Sequence, residues 1–250
     1  MTADPCHGPA QPVWAEQPAI RSILQLPPQH AEGHTMHYHY LNGENWDRIW
    51  IVGDLHGCRR ELDALLLQHR FNPQQDLLIS TGDLIDRGPD SPGCLALMDE
   101  PWFRCVRGNH EEMALAALQG HEMDLWQMNG GDWFWQLRGA ALIGARHALQ
   151  RCQELPLILH LQLDQRIVVV AHADYPAAGY SWEKSLNWQD VVWSRRRLQA
   201  IQSGQRSAIQ GADAFYFGHT PLQQPLEVEN LHYIDTGAVF GNHLTLRQLQ

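Results

Sequence analysis

The chain has 250 residues, with 28 acidic against 18 basic side chains, a formal charge of −10 and 44% hydrophobic residues. This length suits one large domain with a tail, and the acidic balance excludes a broad basic face for nucleic acid or an anionic membrane surface. Five cysteines without a CxxC pair, no apolar run near the ~18 residues of a membrane span, and no basic-then-apolar leader point to a cytoplasmic protein with reduced thiols.

Residues 1–40 read as an irregular arm rich in Pro, Gln and His, with Pro27-Pro28 and a short helix expected from Ala19 to Leu26. His30, His34, His37 and His39 are assigned to a solvated tail. Residues 41–250 read as the folded domain. From Trp46 an apolar run repeatedly ends in a polar motif, and a helical pattern follows. Arg48-Ile49-Trp50-Ile51-Val52 leads into Gly53-Asp54-Leu55-His56-Gly57, and Leu62, Leu65 and Leu66 then recur at helical spacing. Asp76-Leu77-Leu78-Ile79-Ser80 leads into Gly82-Asp83-Leu84-Ile85-Asp86-Arg87-Gly88, with Leu95, Leu97 and Met98 behind it. Trp102-Phe103-Arg104-Cys105-Val106 leads into Gly108-Asn109-His110-Glu111, followed by a helix through Met113 and Leu118. Asn129-Gly130-Gly131 reads as a turn before Trp133, Phe134 and Trp135. Further strands are expected at Ile167–Ala171, Ala214–Phe217 and His232–Ile234, and near His243–Leu246. The alternation indicates an α/β domain that presents its chemistry on loops after strand ends.

Those loops carry Asp, His and Asn. Asp54 and His56 are two apart, so on an extended strand end they point the same way. The Asp83 carboxylate has two oxygens and can bridge two ions. Asn109 offers an amide oxygen, and His172 and His219 offer imidazoles after later apolar runs. Oxygen and nitrogen donors of this kind suit hard-to-borderline divalent ions, and two such ions side by side can clamp a phosphoryl group. A metal-dependent phosphoester hydrolase is therefore expected. Glu111 and Glu112 read as favourable negative charge in a helix's first turn. Trp126, Trp133 and Trp135 read as core or groove wall, Cys58 as filler at a helix start, Arg196 and Arg197 as surface, and Asp235-Thr236-Gly237 as a structural turn.

The motifs GDxHG, GDxxDRG and GNHE resemble those of metallophosphoesterases of the protein serine/threonine phosphatase type. Gly130-Gly131-Asp132-Trp133, Ala171-His172-Ala173-Asp174-Tyr175-Pro176 and Trp193-Ser194-Arg195 are similar to features of the small bacterial and phage-lambda-type branch. The resemblance covers Trp46 to the C-terminus. It implies a calcineurin-like fold, a central β-sandwich flanked by helices with a dinuclear centre at one edge. By position, Asp54 and His56 hold the first metal, Asp83 bridges, and Asn109, His172 and His219 complete the second site. Arg87 and Arg195 bind phosphate oxygens together with Asn109. His110 is the general acid, and Asp86 fixes its tautomer and raises its pKa.

The function implied is hydrolysis of phosphoserine and phosphothreonine, with phosphotyrosine left open, in phosphoprotein or phosphopeptide substrates, by a hydroxide activated between two divalent ions. Manganese is the family expectation, with iron, zinc or magnesium as alternatives. Two rivals share the fold. A symmetrical dinucleoside tetraphosphate hydrolase usually lacks the Asp that precedes Arg-Gly in the second motif, so Asp86 favours the phosphatase. A non-catalytic scaffold typically loses ligands, and here all six positions are filled.

Overall fold

The structure, a computed structural model, describes residues 38–250. In chain order its elements are β1 (Tyr38–Asn42), β2 (Arg48–Val52), α1 (Arg59–Gln68), β3 (Asp76–Ser80), α2 (Ser91–Leu95), β4 (Phe103–Cys105), α3 (Asn109–Leu118), α4 (Met123–Trp126), α5 (Asp132–Gln136), α6 (Gly139–Arg151), β5 (Ile158–Leu163), β6 (Arg166–Ala171), α7 (Trp188–Trp193), α8 (Arg196–Gln202), β7 (Ala214–Phe217), β8 (Leu226–Val228), β9 (Leu231–Tyr233) and β10 (Leu246–Gln248). The strands form a six-stranded sheet, β1-β5-β6-β7-β9-β8, and a four-stranded sheet, β10-β2-β3-β4.

Side chains alternate across each strand, and this sorts the apolar residues into three layers. Ile49 and Ile51 of β2, Leu77 and Ile79 of β3, Leu159 and Leu161 of β5, and Val168 and Val170 of β6 meet in one cluster between the sheets. The other face of the four-stranded sheet, with Trp50, Val52 and Leu78, packs with Leu62 of α1, Met113 of α3 and Leu149 of α6. The other face of the six-stranded sheet, with Ile158, Val169, Phe215 and Phe217, packs with Val191, Val192 and Leu198 of α7 and α8. This is the expected α/β sandwich flanked by helices. Burial on both faces explains why the parallel strands β2 and β3 are apolar at nearly every position.

The topology places the chemistry. Strands β2, β3 and β4 are parallel neighbours, and so are β6, β7 and β9. All three motifs and both lone histidines follow the C-terminal ends of these strands, and so does Asp235. Local signals set the helices behind them. The Asp90 carboxylate accepts from Gly93 N at 2.8 Å to cap α2, which has Pro92 in its first turn.

Several expectations shift. Tyr38–Tyr40, read as the end of the arm, belong to β1, which pairs with β5. The helix read at Ala19–Leu26 and His30, His34 and His37 lie outside the described residues. Strands β5 and β8 were not anticipated, and the last strand begins at Leu246, later than expected. Asn129-Gly130-Gly131 lies in a π-helical turn, Gln127–Gly131, that breaks at Gly130 with φ 104°. Among the described residues, Cys58, Cys94, Cys105 and Cys152 are free and buried, and no helix is long and apolar enough to cross a membrane.

Candidate metal centre

Asp83 is the hub. It is 2% exposed, and its Oδ1 accepts the His110 backbone N–H at 3.0 Å. Its Oδ2 lies 3.4 Å from His172 Nε2, 3.5 Å from His56 Nε2 and 4.0 Å from His110 Nε2. Among the described residues, two groups of side chains able to ligate a metal share it: His56, Asp83 and His110, and Asp83, His172 and His219. Asn109 joins the second group, with Oδ1 2.9 Å from His172 Nε2 and 2.8 Å from His219 Nδ1.

The donor chemistry tests whether this is a metal site. Each of three imidazoles donates one ring N–H to a main-chain carbonyl: His56 Nδ1 to Ile85 at 2.8 Å, His172 Nδ1 to Thr81 at 2.8 Å, and His219 Nε2 to Trp193 at 3.2 Å. In the neutral ring the other nitrogen is then a lone pair. The His172 and His219 lone pairs face the oxygens of Asp83 and Asn109, which are also acceptors, while that of His56 stands between Asp83 and the Arg87 guanidinium. Acceptors facing acceptors in a buried site need a cation between them. A main-chain carbonyl on the far ring nitrogen is also the usual support of a metal-bound histidine. Ligands about 2.1 Å from an ion stand about 3.0–3.4 Å apart, and the observed spacings are close to this. The residues fit two divalent ions that share Asp83.

Electrostatics agree. Burial alone raises the Asp83 carboxyl, but His172 and His110 outweigh it and hold it well below the usual range. Burial lowers His172, yet Asp83 reverses this and raises it to about 10. Asp54 is pushed well above its usual value by burial and by Asp235, and His56 and His219 are held well down, chiefly by burial.

Asp54 sits at the rim of this cluster. Its oxygens accept from Thr81 Oγ1 and His219 N, both at 2.8 Å, and it belongs to neither tight group. Each oxygen keeps a second lone pair. His110, expected to be free of metal, does fall within a group, although its Nδ1 is committed to Asp86 Oδ2 at 2.7 Å. The expectation that Asp86 raises the His110 pKa is corrected. His110 is 1% exposed, and burial dominates and lowers it to about 3, while burial pushes Asp86 up to about 8.

The two arginines lie on the exposed side of the cluster. Arg87 Nη1 is 2.7 Å from His56 Nε2, and its guanidinium stands 5.6 Å from the Phe240 ring. Arg195 Nε donates to Thr220 Oγ1 at 3.2 Å. Arg197, read as surface, is half-buried. It bonds Asp174 Oδ1 at 2.6 Å, Ser207 Oγ at 2.9 Å and the Tyr175 and Ala177 carbonyls, so it ties the loop after β6 to α8. Asp235 Oδ1 accepts from Gly237 N at 2.9 Å, as a turn residue would.

Sequence reasoning missed Glu111. It is fully buried. Its Oε2 accepts from Asp83 N at 3.0 Å and Gly108 N at 2.9 Å, and its Oε1 from Leu84 N at 2.8 Å. It holds the backbone that aims Asp83. His56, Asp83, Asp86, Arg87 and His219 all have positive φ, between 41° and 76°. Such residues persist only where the surroundings over-determine them, at about 1–3 kcal/mol each. The spacing from Asn109 to Glu111 carries a helix-start signal for this glutamate. Nothing local signals its bond to the second motif.

Residues 47–238 match the family described as calcineurin-like phosphoesterase. Serine/threonine-protein phosphatase 1 of Salmonella typhimurium is 51% identical over 213 residues, which cover 85% of this chain and 97% of that protein. The symmetrical bis(5'-nucleosyl)-tetraphosphatase of Pectobacterium carotovorum is 49% identical over 73 residues, only 28% of this chain and 26% of that protein. A protein serine/threonine phosphatase structure from Saccharomyces cerevisiae superposes with a TM-score of 0.54 at 16% identity, covering 86% of this chain and 83% of that one, and bears on the fold alone. The chain belongs to the calcineurin-like phosphoesterase family.

Proposed function

We propose, from its place among the calcineurin-like phosphoesterases, that the protein is a metal-dependent serine/threonine protein phosphatase. The observation that carries the reading is the set of imidazole lone pairs converging on Asp83, each ring pinned from behind by a main-chain carbonyl. Identity of 51% along nearly the whole of a serine/threonine-protein phosphatase, against 28% along most of one tetraphosphatase and 49% along a quarter of another, supports phosphoprotein over dinucleotide substrates.

In this reading Asp54, His56, Asp83, Asn109, His172 and His219 would hold two divalent ions, manganese being one the donor set would accommodate. When bound, the ions supply Lewis acidity and bring the pKa of water towards neutrality. Arg87 and Arg195 present planar forks that match phosphoryl oxygens, and Asn109 lies beside them. Arg87 is exposed, and its Nη1 lies 2.7 Å from His56 Nε2, which places the guanidinium beside the ligand cluster where a phosphoryl group would bind. His110 is the proton donor to the leaving alkoxide through Nε2, the nitrogen that Asp86 leaves open; burial keeps the ring neutral in the metal-free protein, so it takes up that proton only with the phosphoryl group's negative charge beside it. The catalytic unit comprises residues 41–250 together with the strand residues Tyr38–Tyr40. The test is turnover of a phosphoserine and phosphothreonine peptide panel against diadenosine tetraphosphate under manganese. Preference for the dinucleotide would overturn the substrate assignment.

A further inference from the structure

Asp86 is fully buried, and its carboxylate carries three ring N–H groups. Trp133 Nε1 donates to Oδ1 at 2.8 Å. Trp126 Nε1 lies 2.9 Å from Oδ2 and 3.1 Å from Oδ1. His110 Nδ1 lies 2.7 Å from Oδ2. An indole N–H can only donate, so both tryptophans recognise the carboxylate as an acceptor. Between them they fix the plane from which Oδ2 meets His110.

The two indoles are seven positions apart. In an unbroken α-helix that spacing separates them by about 10.5 Å, too far to share one carboxylate. The chain instead runs α4, a π-helical turn broken at Gly130, then α5. Such turns are frequent at functional sites. A Cβ on Gly130 would stand 2.6 Å from Arg87 N, and one on Gly131 would stand 2.7 Å from the Trp126 indole. The Gly130 carbonyl accepts the Arg87 N–H at 3.3 Å. One short segment thus grips Asp86 by its side chain and Arg87 by its backbone. These are consecutive non-glycine residues with φ of 76° and 67°, a conformation that needs outside support.

We propose that Trp126 and Trp133 form an indole clamp, a pair of positioning residues that hold Asp86, and through it His110, in the geometry for proton donation. The role rests on His110 as the general acid. It differs from simple packing, because packing needs the rings while the clamp needs their N–H groups. Trp135 is the internal control: its ring lies 6.0 Å from that of Trp126, it is 39% exposed, and its indole does not bond Asp86.

Trp133→Phe keeps the ring and deletes the N–H. With manganese-loaded enzyme, kcat on a phosphoserine peptide falls about tenfold, the scale of one buried hydrogen bond. KM moves little and bound metal is unchanged. The loss on p-nitrophenyl phosphate is several-fold smaller, because nitrophenolate leaves without a proton. Trp135→Phe behaves as wild type on both substrates. Equal losses of Trp133→Phe on the two substrates, or behaviour like Trp135→Phe, overturn the clamp. Indole N–H resonances of the metal-free protein provide a readout independent of activity. Two lie downfield in wild type and return towards ordinary positions in Asp86→Asn; their indifference to Asp86→Asn overturns the clamp. This arm decides the question if Trp133→Phe does not fold. Absence of phosphopeptide turnover in wild type would remove the phosphatase reading while leaving the resonances to decide the clamp.

Discussion

Glu111→Gln probes how the hub is aimed. The carboxylate accepts three backbone N–H groups, from Asp83, Gly108 and Leu84. Gln offers one carbonyl oxygen in place of two. Placed where Oε2 is, that oxygen keeps Asp83 N and Gly108 N and turns an NH2 towards the Leu84 N–H. One buried donor then loses its acceptor, at about 1–3 kcal/mol, and two bonds lose their charge assistance at a further cost of about 1 kcal/mol. The site is fully buried, so water offers little compensation. A stability loss of roughly 2–4 kcal/mol follows, part of it released as relaxation of Asp83 from φ 48°. Urea unfolding of metal-free protein reads the first effect, and calorimetric manganese titration reads the second as an affinity loss of about tenfold or more. A Glu111→Gln protein that unfolds at the wild-type midpoint and binds manganese normally would refute the assignment of Glu111 as the brace of Asp83.

Other expectations follow from the same geometry. His110→Asn slows phosphoserine hydrolysis by about 10²–10⁴ but p-nitrophenyl phosphate hydrolysis far less, with metal content kept; equal losses, or lost metal, contradict the acid role. Arg197→Ala leaves the Asp174 carboxylate without its ion partner and costs about 3–5 kcal/mol. Adding Asp174→Asn recovers part of this in a denaturant titration, and no recovery would mean that the charge is not the cause. In metal-stripped protein Glu111 is raised to about 7, chiefly by burial, from its ordinary 4.5. The fold then binds that proton before the unfolded chain does, so stability from this group rises as pH falls from about 7 towards 4.5. The gap between wild type and Glu111→Gln should therefore widen across that window in unfolding titrations, and a constant gap contradicts the shift.

The strand-then-motif rhythm was legible because parallel strands buried on both faces spell continuous apolar runs, and because each candidate ligand follows closely on such a run. Ile49–Val52, Leu77–Ser80 and Val168–Ala171 announce both the sheet and the edge that bears the site. Strand β5 was less visible, because His160 and Gln162 interrupt it and no motif follows. Strand β1 lies against a segment whose composition reads as irregular. The candidate ligands were legible as residue types at fixed spacing, but the groups that brace them were not. The carbonyls of Ile85, Thr81 and Trp193, the bonds of Glu111 to the second motif, and the indoles on Asp86 link residues 26 to 91 positions apart or use main-chain atoms that every residue has. Arg197 was misplaced because an Arg195-Arg196-Arg197 run gives no sign of which member turns inward. The His110 pKa was misjudged because sequence names its carboxylate partner and says nothing of its burial.

Metal stoichiometry tests the central claim most directly. Metal-stripped protein is dialysed against manganese, the bound metal is counted per chain, and phosphopeptide turnover is followed across the same titration, for wild type and Asp83→Asn. A shared Asp83 predicts two ions per wild-type chain, with turnover rising as the second binds, and at most one ion with activity lost in Asp83→Asn. A single ion in fully active wild type, or two ions and near-normal turnover in Asp83→Asn, would contradict a dinuclear centre built on Asp83.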